Sequence, residues 1–150
     1  MQLSNEAVVV QKNNDAVIVS FPGGKRVDVE VGGFTVRTDQ PRELGGEGSA
    51  LDPFSTFLAS LASCAGLYVL GFCQARGIPT AGLGLSMEHE RDPASKRLTR
   101  VRLAIELPAG FPPQYVAAVR NAASHCAVKR AILEAPEFVI DASIAGIAAA

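Results

Sequence analysis

The chain has 150 residues, 48% of them hydrophobic and 19% charged, with a formal net charge of −1; that is enough for one domain whose core forms without disulfide support. Its basic residues alternate with acids, as in Arg26-Val27-Asp28-Val29-Glu30 and Glu88-His89-Glu90-Arg91, which excludes the concentrated positive face that a nucleic-acid backbone requires. Three cysteines, and an N-terminus MQLSNEAVVVQKNN without a basic start and long apolar core, predict reduced thiols and a cytoplasmic protein.

The first third alternates apolar and polar residues. Ala7–Val10 and Ala16–Val19 flank Lys12-Asn13-Asn14-Asp15, whose Asn and Asp tolerate positive φ, so a hairpin is predicted there. Val27, Val29 and Val31 share one face of a further strand and Arg26, Asp28 and Glu30 the other, before Gly32-Gly33 turns the chain into Phe34–Thr38. Asp39 to Leu51, rich in Pro41, Gly45, Gly46 and Gly48, reads as an irregular loop of the kind that often lines a site.

Asp52 then stands as an N-cap with Pro53 at the first helical position. The helix is predicted to run to about Ala75, with Gly77 as its stop. Two alternating strands follow, Gly82–Glu90 and Leu98–Leu107, joined by Asp92-Pro93-Ala94-Ser95; in the second, Val101, Leu103 and Ile105 face inward. Pro112-Pro113 opens a helix to about Ala123, a second short helix covers Cys126–Leu133, and Phe138–Ile144 is predicted to be the last strand. The order is that of an α+β fold in a single domain, residues 1–150, around a long buried central helix.

Phe54 to Cys73 carries no charge over 20 residues, the length of a membrane span. Ser55, Thr56, Ser60 and Ser63 dilute its first half, and the flanking strands need something to pack on, so a buried helix is preferred to a membrane one. At about 1.5 Å per residue it spans roughly 35 Å, and apolar groups all round it demand cover that one chain of this size does not supply. An intertwined homodimer, with two such helices packed together, is therefore predicted.

Two thiols stand out. Cys64 lies too deep in the long helix for its dipole, which fades within one turn, to activate it; an unusual reactivity would need a cation, with Lys25, Arg26, Arg37 and Arg42 as candidates. Cys126 is predicted in the first turn of a short helix capped by Ser124 or His125, where backbone N–H groups favour a thiolate and make it the more acidic thiol. Cys73, nine residues past Cys64, falls on the opposite helix face and reads as a small buried hydrophobe. No Cys-x-x-Cys exists, and neither His89 nor His125 stands at metal-ligand spacing; His125 reads as a cap or a surface residue.

Pro41-Arg42-Glu43-Leu44-Gly45-Gly46, Asp52-Pro53, Phe57-Leu58-Ala59-Ser60-Leu61-Ala62-Ser63-Cys64 and Ser124-His125-Cys126-Ala127-Val128 together resemble the OsmC/Ohr family of osmotically inducible and organic-hydroperoxide-resistance proteins. The resemblance implies an intertwined homodimer with two long central helices. It also implies a thiol-dependent peroxidase for organic hydroperoxides, needing no metal, flavin or haem, in oxidative-stress defence. By that analogy Cys64 is the peroxidatic residue and Cys126 its disulfide partner, with an external dithiol as reductant. Arg26, in Gly23-Gly24-Lys25-Arg26, is the candidate for the arginine that holds the peroxidatic sulfur. Phe54, Phe57, Leu58 and Leu61 would admit an alkyl tail. Hydroperoxide-reducing members carry a glutamate one or two positions after the helix-starting proline, where this chain has Phe54 and Ser55; Glu43 or Asp52 would have to replace it. A binding or redox-sensing protein of the same fold is the alternative reading.

Overall fold

The computed structural model describes residues 16–144. The chain divides after Leu58 into two compact units. In the first, β1 (Ile18–Gly23), β2 (Arg26–Val31) and β3 (Phe34–Thr38) form an antiparallel sheet in the order β1-β2-β3. Val29 pairs with both Val19 and Val36, and Val31 with Phe34, so the apolar residues gather on one face as the alternation predicts. Gly32 and Gly33 both have positive φ, 57° and 80°, the backbone of a tight hairpin turn that matches the twist of its strands. The strand predicted over Ala16–Val19 is instead Ile18–Gly23, because its pairing with β2 continues to the next turn, Gly23 opposite Arg26. The predicted partner strand Ala7–Val10 and its turn lie outside the described residues.

Residues 39–51 are held by one carboxylate. Buried Asp39 accepts the backbone N–H groups of Gln40 (2.8 Å), Glu47 (3.1 Å) and Ser49 (3.0 Å) and the Ser49 hydroxyl (2.8 Å). The Ser49 N–H leads these donors in holding the Asp39 carboxyl below its ordinary range. The segment was expected to be irregular throughout, but Arg42–Leu44 form a turn of 3-10 helix. Gly46 passes so close to Gln40 that a Cβ there would stand 1.9 Å from the Gln40 carbonyl oxygen.

Helix α1 (Pro53–Gln74) begins and ends as its sequence dictates. Asp52 Oδ1 accepts the N–H groups of Phe54 (2.9 Å) and Ser55 (3.1 Å), and its other oxygen takes the Ser55 hydroxyl, a cap worth about 1 kcal/mol. At the other end Ile78 N–H bonds to Cys73 O (3.0 Å) and Gly77 N–H to Gln74 O (3.1 Å), the paired bonds of a glycine-terminated helix. Within one chain α1 buries a single stripe, Leu58, Leu61, Ala65, Val69 and Cys73, and leaves Leu67 65% exposed.

The second unit pairs β4 (Gly84–Arg91) with β5 (Leu98–Glu106) and adds α2 (Val116–Ser124) and α3 (Ala127–Leu133). Alternate residues of β5, among them Val101, Leu103 and Ile105, turn inward as predicted. Two apolar clusters result, one of Val69, Cys73, Ile78, Phe111, Val119 and Ala123, the other of Leu61, Ala65 and Cys126 with Cys64, Met87, Val101 and Leu103 around them. The helix expected from Pro112-Pro113 starts as a 3-10 turn, Pro113–Tyr115, before becoming α2. Phe138–Ile144 does not form the predicted strand: it has no regular structure, and Phe138 and Ile140 are 82% and 91% exposed. A strand exists only through its ladder, and this segment has no ladder partner among the described residues.

Candidate functional site

The structure brings Cys64 and Cys126 together in the second unit. Cys64 sits half-buried at mid-length of α1, and Cys126 is fully buried at the start of α3. Cys126 is the N-cap of α3, and its Sγ accepts the Lys129 N–H at 3.4 Å. This corrects the expectation that Cys126 lies inside the first turn with Ser124 or His125 as the cap. Ser124 bonds back to Asn121 O (2.7 Å) and His125 closes α2 as its C-cap. Cys126 Sγ lies 3.8 Å from the Leu61 carbonyl oxygen.

The two thiols titrate in opposite directions. Cys64 is pulled below the ordinary thiol range, first by the Cys126 thiol, which donates to it, and then by the backbone N–H groups of Val128 and Ala127. Cys126 is pushed up, chiefly by burial and then by the same bond to Cys64. The more acidic thiol is therefore Cys64 and not Cys126, contrary to the sequence-based expectation. The N–H groups opening α3 do stabilise a thiolate, but two of them point at the sulfur across from them on α1. No side-chain cation is among the groups that shift Cys64. Cys73 lies in the other cluster, where burial raises its thiol, as its place on the far face of α1 predicts.

Arg26 belongs to the first unit. It is the first residue of β2, exposed, and its guanidinium reaches only the carbonyls of Gly23 (3.5 Å) and Pro22 (3.4 Å). No carboxylate pairs with it among the described residues; Arg100 pairs with Glu90 at 3.3 Å. Asp52, one of the two acids considered as replacements for the glutamate, has both oxygens occupied as the cap of α1. Glu43 lies exposed in the 3-10 turn.

The pair offers a half-buried sulfur whose thiolate is favoured by its surroundings, packed in one cluster with a second thiol. That arrangement supports nucleophilic thiol chemistry followed by thiol–disulfide exchange.

The fold is shared with known proteins. The family model described as OsmC-like protein matches residues 46–141, a span that contains both cysteines. Among solved structures, an osmotic stress induced and detoxification response protein from Psychrobacter arcticus 273-4 superimposes with a TM-score of 0.69 at 21% identity, over 82% of this chain and 91% of the other. An organic hydroperoxide resistance protein OsmC from Legionella pneumophila gives 0.54 at 24% identity over 81% and 91%, and an OsmC-like protein from Mycoplasma pneumoniae gives 0.65 at 13% over 83% and 91%. No curated protein sequence matches the chain. The extent of the family match, together with this shared α+β fold, establishes that the chain belongs to the OsmC-like protein family.

Proposed function

We propose that this protein is a cysteine-based peroxidase that reduces organic hydroperoxides with electrons from an external dithiol. The observation that carries the reading is the Cys64 sulfur, acidified by Cys126 and the α3 backbone and in contact with the thiol needed to complete a cycle. The Cys64 thiolate attacks the terminal oxygen of R–O–O–H, and the O–O bond breaks. The alkoxide takes a proton and leaves as an alcohol, and Cys64 becomes a sulfenic acid. The Cys126 sulfur then attacks the Cys64 sulfur, expelling water and closing a disulfide, and a dithiol returns both residues to thiols by exchange. Organic hydroperoxide resistance is ascribed to the Legionella neighbour, which supports the substrate class. Homodimerisation belongs to the same proposal: cover for the exposed apolar side chains is its physical motive.

That Arg26 meets no carboxylate among the described residues favours a second reading, a ligand-binding or redox-sensing protein of the same fold with slow turnover. Consumption of cumene hydroperoxide in the presence of dithiothreitol, wild type beside Cys64→Ser, separates the two. The peroxidase reading expects turnover that falls in Cys64→Ser to the rate of dithiothreitol alone, and a trapped sulfenic acid on Cys64 in Cys126→Ser. Equal background rates in wild type and Cys64→Ser would sink it.

A further inference from the structure

The N-terminus of α3 is closed by sulfur. Cys126 is its N-cap, with Sγ accepting the Lys129 N–H at 3.4 Å, and the N–H groups of Ala127 and Val128 favour the Cys64 thiolate. The helix that depends on this cap has seven residues, none of them buried within the chain, far fewer than a helix needs to hold itself in water. Cys64 stands on α1, which has 22 residues and whose Leu61 and Ala65 are buried in one cluster with Cys126. Both thiols are free, whereas a disulfide holds its sulfurs about 2.05 Å apart at a fixed dihedral angle. Closing that bond moves one sulfur or the other. Because α1 is the longer and better packed element, the displacement falls on Cys126, whose Sγ then leaves the position from which it caps Lys129 N–H. Its sulfur is also the better target for the reductant, since exchange is faster when the departing thiol is the more acidic one, which here is Cys64. In the reduced protein, however, Cys126 is 0% exposed.

We propose that a Cys64–Cys126 disulfide uncaps α3 and so opens the buried Cys126 sulfur to the external thiol, whose attack there expels Cys64 as its thiolate. Reduction restores the cap, and the helix closes over Cys126 again, so α3 is a gate set by the redox state of the pair. The inference rests on the disulfide partnership in the proposed function and not on peroxide turnover.

Diamide forms the disulfide without peroxide: its N=N bond takes two electrons and two protons from the two thiols and becomes a hydrazine. Hydrogen–deuterium exchange of the full-length protein, reduced beside diamide-oxidised, should show the amides of α3 exchanging about tenfold faster after oxidation, the effect of losing one cap, with α1 unchanged. Cys126→Ser keeps a capping oxygen and cannot close the bond, so diamide should leave its exchange as it was. Brief exposure of the oxidised wild type to glutathione, then acid quenching and peptide mass spectrometry, should find the first adduct on Cys126 and Cys64 released as a thiol. If diamide yields no Cys64–Cys126 bond, this inference falls together with the disulfide step of the proposed cycle. If the bond forms but α3 exchange is unchanged, the gate alone is overturned. The same follows if the acceleration spreads equally over α1, if Cys126→Ser shows it too, or if the first adduct is on Cys64.

Discussion

At Cys64 and Cys126 a single hydrogen bond does two things. A thiol that donates to a neighbouring sulfur stabilises that neighbour's anion and gives up some of its own acidity, so the Cys64 thiol is lowered and the Cys126 thiol raised by the same contact. The signs fix a pH prediction. Alkylation of Cys64 by iodoacetamide follows its thiolate fraction, so in wild type the rate should reach its plateau at lower pH than for an ordinary thiol. Cys126→Ala removes the leading donor and should move the profile to higher pH, slowing alkylation at pH 7 several-fold. Cys126→Ser restores an O–H donor and should recover most of the wild-type rate. Identical profiles in all three, read by peptide mass spectrometry at Cys64, would show that the backbone donors of α3 alone set the acidity. How far this site is legible in the sequence follows from the range of the forces involved. That Cys73 stands apart from Cys64 is a matter of helical phase and can be read directly. That Cys64 draws its donors from Val128 and Ala127 is a tertiary contact across more than sixty residues, and neither residue type signals it, because the donors are backbone groups.

Among the elements, the ends of α1 were legible and the 39–51 loop was not, for the same reason. A cap needs Asp52, Pro53 and Gly77 at fixed local offsets, and each rule is satisfied within a turn of chain. The loop is organised by Asp39, whose partners Glu47 and Ser49 lie eight and ten residues away, an offset belonging to no local motif. Cys126 misleads at short range because Ser124 and His125 are both plausible caps, while the observed cap is the cysteine. The loop's closeness of packing gives its own prediction. The Gly46→Ala methyl would meet the Gln40 carbonyl and stand 2.9 Å from Asp39 Oδ1, and neither can withdraw without breaking the Asp39 network. A loss of about 1–3 kcal/mol is expected from such overpacking, measured as a lower urea midpoint at unchanged slope. An unchanged midpoint would mean that the loop relaxes freely and that Asp39 does not hold it rigid.

For the molecule as a whole, the strand expected over Phe138–Ile144 and the all-round burial expected for α1 pose one problem. Each unit, taken by itself, leaves large apolar side chains in water: Phe21 at 79% and Phe34 at 77% in the first, Leu67 at 65% and Phe138 at 82% in the second. Of the most apolar window of α1, 28% is buried. Apolar surface costs about 25 cal/mol per Å² left in water, and soluble monomers rarely keep contiguous patches beyond a few hundred Å². The hydrophobic pattern in the sequence over-predicts what one chain buries alone, and in the proposed dimer the excess is the surface a second copy would cover. Sedimentation equilibrium at micromolar concentration, without detergent, should therefore return about twice the chain mass of 15.7 kDa. Phe34→Asp, a polar change at the tip of the β2–β3 hairpin, should shift the equilibrium toward the single chain if that exposed face is covered by the partner. A wild-type protein sedimenting at the mass of one chain would remove the dimer from the proposal. A protein that stays in solution only with detergent would move α1 from a protein interior to a lipid one, since the same uncharged helix of 22 residues satisfies both solvents by length and composition alone.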